Sequence, residues 1–193
     1  MTEASLPQMR AGQLLVATPA LMDPNFDHTV VLLLECDDNG ALGVVLNRPS
    51  PVPVADILAG WSDLAADPDV LFQGGPISTD SALAVGRLPP TVDEPQEPVG
   101  WRRLFDNTGI VDLDTPTELM AQAVAGIRIF AGYAGWGSDQ LIAEIEEGSW
   151  YLVPSLPSDV FTVDPEGLWM RVLKRQPGEL AWVSTRPFDP TLN

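Results

Sequence analysis

The stretch Phe130–Leu141 contains residue types that could form a binding site, because three glycines alternate with the aromatic residues Tyr133 and Trp136. An ordered glycine loses more conformational entropy than any other residue, so three of them predict a backbone that lies close to another group. The start of the following helix would present free backbone N–H groups to an anion or a polar ligand. We therefore predict a glycine-aromatic loop in which both rings form a cavity wall. The predicted donors lie at the helix start and are Gly137, Ser138 and Gln140.

Two further bends supply the other side of the predicted cleft. The segment Asn47-Arg48-Pro49 follows an apolar hairpin, and its arginine carries a planar fork of donors that suits a carboxylate or a phosphate. The glycine pair Gly74-Gly75 follows a short apolar run. Because glycine tolerates backbone conformations that other residues avoid, the pair predicts a sharp turn. We expect both bends to meet the glycine-aromatic loop at one cleft. The residues that would face its ligand from this side are Asn47, Arg48, Gly74 and Gly75.

Each of these segments also has an interpretation that needs no ligand. Tyr133 and Trp136 could pack into the core from a tight connection, since aromatic rings are as common in cores as in sites. Arg48 could pair with one of 27 acidic residues, and the glycine pair could simply turn the end of a strand. A carboxylate at Asp139 would already occupy the positive end of the helix dipole, which disfavours the capture of a second anion there.

No catalytic motif accompanies the predicted cleft. Asp27 and His28 are neighbours, and neighbouring residues of a strand point to opposite faces, so they are badly placed to share a hydrogen bond unless the backbone turns. We interpret the histidine as a residue at a strand edge and Cys36 as an apolar core residue. We assign no catalytic residue. The alternative is an enzyme that uses His28, Asp139 or an arginine-held carboxylate in general acid–base chemistry.

The charge balance disfavours some partners. The chain of 193 residues has 27 acidic residues against ten basic ones, a formal charge of −17, so its field repels phosphate backbones and anionic lipids. Direct nucleic-acid binding is therefore not expected. One cysteine and one histidine exclude the common zinc patterns, and we predict neither a metal nor a cofactor. Without a signal-type segment or a long apolar run, we predict a cytoplasmic protein with no membrane span.

The length favours one domain over residues 1–193, with a flexible arm over residues 1–10 and an acidic, proline-rich loop over residues 89–98. The strongest strand pattern is an apolar hairpin of residues 29–36 and 41–46. Both of its strands are too continuously apolar to have a solvent-exposed face, so we expect other elements to pack against both faces. Further strands are predicted over residues 12–18, 70–72, 82–85, 127–130 and 150–153.

Helix signals occur mainly in the second half of the chain. Helices are predicted over residues 54–59, 116–125, 139–147 and 165–176. Ser138 is expected to cap the third helix, whose inward stripe begins at Leu141 and whose Glu144 faces water. The last helix is expected to bury Leu168 and Trp169.

Three motifs, in this order, give the sequence its resemblance to the YqgE/AlgH family. They are Ala-Leu-Gly-Val-Val-Leu-Asn-Arg-Pro over residues 41–49, Gln-Gly-Gly-Pro over 73–76, and Gly-Tyr-Ala-Gly-Trp-Gly-Ser-Asp-Gln-Leu over 132–141. The resemblance spans nearly the whole chain. It implies an α+β fold whose branched, mixed β-sheet curls into a pseudo-barrel with flanking helices. It implies no assigned activity, because AlgH has been described as a transcriptional regulator of alginate production without a mechanism.

The residues and the resemblance together predict a non-catalytic binding or regulatory protein. Its cleft would take an unknown small polar molecule or an extended peptide, with Arg48 as the charge anchor. Besides the enzyme described above, the other alternative is a transcriptional regulator that acts through a protein partner and not by direct DNA binding.

Overall fold

The computed structural model describes residues 8–90 and 97–185, and most of the predicted arm and acidic loop lies outside these ranges. Within them the chain forms ten strands, six short α-helices and one 3-10 helix. The strands are β1 (Leu14–Ala17), β2 (Val30–Asp37), β3 (Gly40–Val45), β4 (Pro49–Pro53), β5 (Val70–Gln73), β6 (Ile77–Arg87), β7 (Trp101–Phe105), β8 (Thr108–Val111), β9 (Gly126–Gly137) and β10 (Trp150–Val153). The helices are α1 (Val54–Ile57), α2 (Thr117–Ala123), α3 (Gln140–Glu146), α4 (Pro157–Val160), α5 (Leu168–Lys174) and α6 (Glu179–Val183), and the 3-10 helix spans Ala59–Leu64.

All ten described strands belong to one branched sheet. Its main path runs β10-β1-β2-β3-β9-β6-β8-β7 with antiparallel neighbours. A side branch consists of β4 and β5, in which β5 pairs parallel to β9. The sheet curls into a half-barrel that is accompanied by the helices. The predicted α+β class with a branched, mixed sheet is therefore confirmed.

The hairpin of β2 and β3 lies inside the molecule because its side chains are apolar on both faces. Alternate residues of β2 enter different clusters: Val30 and Leu32 pack into the first, whereas Val31 and Leu33 pack into the second. All four residues of β1 are buried as well. Cover on both faces explains why the sequence lacks polar alternation here, and it confirms the prediction for the hairpin.

Helices complete the three hydrophobic clusters. The first cluster includes Trp169 and Leu173 of α5, which lies within the helix predicted over residues 165–176, and the second includes Leu141 of α3. A third cluster packs Met120 of α2 and Trp61 of the 3-10 helix against β6, β8 and β9. The core is thus divided between the two faces of the sheet and is covered by short helices on both.

Strand β9 differs most from its prediction. The glycine-aromatic segment is not a loop but the second half of this strand of 12 residues, which pairs with both β3 and β6. Phe130 and Tyr133 are three positions apart, yet both contact the first cluster, so the side-chain alternation shifts by one residue between them. Gly132 allows the shift with a φ of +74°. An irregularity of this kind hides the period of two in the sequence.

Helix α3 also differs from its prediction. Its N-cap residue is Asp139, in the left-handed conformation and without a capping side-chain hydrogen bond, so the cap expected at Ser138 is wrong. Glu144, expected to face water, accepts hydrogen bonds from Nε1 of Trp136 and Nε1 of Trp150, both at 2.9 Å. The two indole rings meet edge to face with centroids 5.9 Å apart. A carboxylate therefore ties α3 to the sheet through two buried rings.

Arg128 of β9 is buried, with only 2% of its surface exposed. Its guanidinium donates to five backbone carbonyl groups at 2.9–3.2 Å and lies 4.3 Å from the ring centre of Phe72. The acceptors are Ala66, Asp67, Pro68, Val160 and Thr162. Burial lowers the pKa of Arg128 to about 10, so the group stays protonated at neutral pH. One cation thus fastens two distant chain segments to the centre of the sheet.

Replacing Arg128 by methionine keeps much of the volume but removes every donor to the five carbonyl groups. We expect the free energy of unfolding in urea to fall by about 3 kcal/mol or more. The matched control is Arg102→Met, because that side chain is 56% exposed and meets Glu35 only at 3.4 Å. The control should lose less than about 0.5 kcal/mol. Equal losses in the two variants would contradict the role assigned to Arg128.

Removing the Glu144 side chain should leave two buried indole N–H groups without an acceptor. We expect Glu144→Ala to reduce the free energy of unfolding by about 2 kcal/mol, measured by tryptophan fluorescence in urea. Glu144→Gln keeps one acceptor oxygen and should lie between this variant and the wild type. Glu146→Ala, on an exposed position of the same helix, is the control. If Glu144→Ala were as stable as Glu146→Ala, the carboxylate would not be holding the helix.

Candidate functional site

The branch of the sheet opens a cavity where β3 and β5 separate along β9. β3 pairs with the end of β9, from Ala134 to Gly137, whereas β5 pairs with its middle, at Phe130 and Ala131. The cavity has a volume of about 400 Å³, within the range of small-molecule sites. We refer to it as the fork cleft. Its lining residues are Asn25, Val45, Arg48, Gln73, Gly75, Pro76, Thr79 and Ala131.

Backbone hydrogen bonds join the predicted bends at the fork cleft. The N–H of Gln73 donates to the carbonyl of Arg48 at 2.8 Å, and the N–H of Val45 donates to the carbonyl of Gly74 at 2.9 Å. The N–H of Gly74 in turn donates to the carbonyl of Ala131 at 2.8 Å. The hairpin exit, the glycine pair and β9 therefore lie together, although a ligand role for them stays a prediction.

Gly75 and Gly132 permit the close approach of these segments. A Cβ atom on Gly75 would lie 2.1 Å from the carbonyl carbon of Tyr133, and one on Gly132 would lie 2.6 Å from the carbonyl oxygen of Gly75. Their φ angles, +154° and +74°, also favour glycine. These two glycines are needed to build the fork, whatever the cleft holds.

Arg48 brings a positive charge to the cleft that no described carboxylate neutralises. Its Nη1 donates to the carbonyl of Asn25 at 2.6 Å, and its Nη2 donates to the carbonyls of Pro24 at 2.9 Å and Asp27 at 3.2 Å. These neutral acceptors orient the guanidinium. The side chain is thus fixed in place while keeping its charge.

Asn47 has a structural role and does not line the fork cleft. Its Oδ1 accepts a hydrogen bond from the N–H of Val30 at 2.9 Å, and its Nδ2 donates to the carbonyl of His28 at 2.8 Å. Both ends of the amide are engaged in closing the hairpin exit. A contact between Asn47 and a ligand stays a prediction.

Tyr133 and Trp136 do not share one cavity wall. Trp136 is 6% exposed and belongs to the second cluster, whereas Tyr133 is half-buried against the first. Because they are an odd number of positions apart on one strand, their side chains point to opposite faces of the sheet. The expectation that both rings line one cavity is therefore wrong.

The donors predicted at the start of α3 also lie away from the fork cleft. The N–H of Gly137 donates to Oε1 of Gln140 at 3.0 Å, and Nε2 of Gln140 donates to Glu144 at 3.0 Å. Ser138 is exposed beside them. Gly137 and Asp139 line a separate cavity of about 220 Å³ near the turn between β2 and β3. One of the predicted donors, the N–H of Gly137, is therefore already hydrogen-bonded to a side chain of α3.

Asp27 and His28 do meet, because the backbone turns at the histidine with a φ of +54°. Nδ1 of His28 lies 2.5 Å from Oδ1 of Asp27, and its ring packs against Trp169 with centroids 4.7 Å apart. The adjacent Thr29 is not placed as a nucleophile, since its hydroxyl donates to the carbonyl of Phe26 at 2.7 Å. The pair could move a proton, but the hydroxyl of Thr29 is not positioned to give one to it.

Other reactive groups are sparse in the part of the chain that the structure describes. Burial, reinforced by the charge of Asp37, raises the pKa of the Cys36 thiol, which disfavours the nucleophilic thiolate. Residues 8–90 and 97–185 contain no cluster of side chains that could hold a metal ion. Among the helices of these ranges, none is long and apolar enough to cross a membrane.

Gln73 and Thr79 line the fork cleft but were not predicted as site residues. Gln73 ends β5 directly before the glycine pair, and a polar residue at the end of an apolar strand was a usable signal. Thr79 lies in the irregular part of β6, between Ile77 and Ala82. Its position depends on how β6 bends past β9, which no local pattern indicates.

Known proteins resemble this chain along most of its length. A family model described as AlgH-like matches residues 14–181. A UPF0301 protein of Streptomyces avermitilis is 58% identical over 193 residues, covering 100% of this chain and 98% of that protein. A crystal structure of a Corynebacterium diphtheriae protein is similar with a TM-score of 0.87 and 33% identity, covering 93% of this chain and 94% of the other. The solution structure of AlgH from Pseudomonas aeruginosa is similar with a TM-score of 0.66 and 26% identity, covering 97% and 98%. The chain therefore belongs to the AlgH-like family of UPF0301 proteins.

Proposed function

We propose that this AlgH-like protein binds a small polar molecule or an extended peptide at the fork cleft and does not transform it. The bound molecule would carry an acidic group that contacts Arg48. The observation that carries the proposal is the guanidinium of Arg48, which three carbonyl groups hold at the edge of a cavity of about 400 Å³. A fixed guanidinium loses little freedom when it meets a carboxylate or phosphate. Gln73 and Thr79 add neutral hydrogen-bonding groups at the same cavity.

The composition of the cleft favours binding over catalysis. Arg48 is its one ionisable lining residue among those described, and an arginine side chain does not serve as a general base, because it is not deprotonated in proteins. General acid–base catalysis needs a group whose pKa lies near the working pH. The cleft therefore supplies recognition and no proton carrier of its own.

A regulatory role is compatible with the same cleft if its occupant is part of a protein. The formal charge of −17 repels nucleic acid, so an effect on transcription would pass through a partner and not through direct DNA contact. The single cysteine suits a reducing compartment, and we place this binding event in the cytoplasm.

Ligand-detected NMR with small carboxylates, small phosphates and acidic peptides tests the binding proposal. We expect a confirmed binder to lose affinity about tenfold or more in Arg48→Ala, since a hydrogen bond to a charged group contributes about 1.5–3 kcal/mol. Thr79→Trp should abolish the same binding by filling the cleft, without disturbing the loop that Arg48 holds. Arg102→Ala removes an equal charge from an exposed pair with Glu35 and should leave binding unchanged. The proposal would be excluded if confirmed binders had the same affinity for Arg48→Ala and Thr79→Trp as for the wild type.

An enzymatic function is the second candidate, because Asp27 and His28 form a close pair beside the cleft. The link is direct: Arg48, which lines the cleft, donates to the carbonyl of Asp27 at 3.2 Å. A carboxylate that orients an imidazole is a common arrangement for a general base.

The two candidates differ in the fate of the bound molecule. We expect NMR spectra of a confirmed binder to remain unchanged over a day with the wild-type protein, because the cleft has no proton carrier. If the binder is consumed by the wild type but not by His28→Gln, the protein is an enzyme and the non-catalytic proposal is wrong. Asn25→Ala, at the cleft but outside the pair, is the control for that comparison.

A further inference from the structure

The positive charges of this acidic chain are concentrated in one place. Four of its ten basic residues line a single open cavity of about 690 Å³. They are Arg87 at the end of β6, Arg171 and Lys174 of α5, and Arg175 directly after that helix. A fifth, the buried Arg128, donates to the carbonyl of Thr162, which also lines this cavity. We refer to the cavity as the cationic pocket.

Two of the four cations have carboxylate partners. Arg175 forms a bidentate pair with the buried Asp159, with nitrogen–oxygen distances of 2.5 and 2.6 Å. Arg171 pairs with Asp164 at 2.5 Å and donates to the hydroxyl of Thr162 at 2.7 Å. The first pair connects the end of α5 to α4, and the second connects α5 to the loop that follows α4, so these bonds shape the pocket.

The other two cations have no acidic partner among the described residues. Cζ of Arg87 lies 5.0 Å from the ring centre of Phe161, and its buried Nε–H has no hydrogen-bond acceptor within the described ranges. Among the described residues, it is packing against the ring of Phe161 that holds this guanidinium. Lys174 is exposed at the pocket and forms no ion pair with any residue in residues 8–90 or 97–185.

The cations without a described acidic partner give the pocket a positive charge that favours the entry of an anion. Burial lowers the pKa of Arg128, the nearby carboxylate of Asp67 opposes this effect, and the charge of Arg87 adds to the lowering. The chain has 27 acidic residues, yet only Asp159 and Asp164 of the described ones pair with pocket cations. The lining contains four cations and one carboxylate, Asp159, and a concave surface with such an excess of positive charge concentrates anions.

We propose that the cationic pocket binds a small molecule that carries one or more phosphate groups. Arginine and lysine together are typical phosphate ligands, since one offers a planar fork and the other a compact charge. Val163, which is 77% exposed, and the ring of Phe161 add apolar surface beside the cations, so the molecule is a phosphate ester with an organic part. No lining residue is shared with the fork cleft, and this proposal does not depend on the function proposed there.

The test titrates the full chain with ADP and, separately, with inorganic pyrophosphate at constant ionic strength. Binding is measured by calorimetry and by NMR. We expect saturable binding of ADP, weakened about tenfold or more in Lys174→Gln and in Arg87→Gln. Lys174→Gln is the decisive variant, because its side chain is exposed and its loss should not disturb folding. Thermal unfolding of both variants without ligand separates lost binding from lost stability.

Three controls make the test specific to this pocket. Arg102→Gln removes one charge elsewhere and should bind ADP like the wild type, and sodium chloride at equal ionic strength should not displace ADP. Arg48→Gln should also leave ADP binding intact, which separates this site from the fork cleft. The proposal fails if ADP and pyrophosphate do not saturate, if Arg102→Gln weakens binding as much as Lys174→Gln, or if a peptide of glutamates binds more tightly than ADP.

Discussion

The burial of Arg128 is the constraint on which both cavities depend. A protonated guanidinium inside the protein is strongly unfavourable unless its donors find acceptors. Its five acceptors come from residues 66–68 and 160–162. The first segment leads into β5, which forms a wall of the fork cleft, and the second lines the cationic pocket. One side chain of the central strand therefore requires both segments to be in place together.

The features that could be predicted from sequence are those whose cause is local. The hairpin of β2 and β3 was predictable because continuous apolar residues imply cover on both faces, and α5 because its apolar residues recur at helical spacing. β9 was misinterpreted because Gly132 interrupts a period of two that would otherwise identify a strand. Glu144 was misplaced for a related reason: its partners, Trp136 and Trp150, come from other elements, and a charged residue on a short helix normally faces water.

The candidate site was predictable only in part, and the reasons differ from residue to residue. Arg48, Gly75 and Gly132 come together because each marks a bend, and bends at strand ends of one sheet tend to meet. Trp136 was assigned to the wrong place because its ring is as suitable for a core as for a site. The cationic pocket could not be predicted, since Arg87 approaches α5 only when β6 and the loop after α4 are folded.

The central position of β9 also has a consequence for how the chain is made. Strands β3, β5 and β6 all pair with residues 126–137, which leave the ribosome after all three. Until then their edges present unpaired N–H and carbonyl groups, and such edges associate readily with other chains. The N-terminal two thirds of the protein is therefore not expected to complete its fold during translation. Chains that stall before residue 126 would expose these edges for longer and would be prone to aggregate unless chaperones bind them.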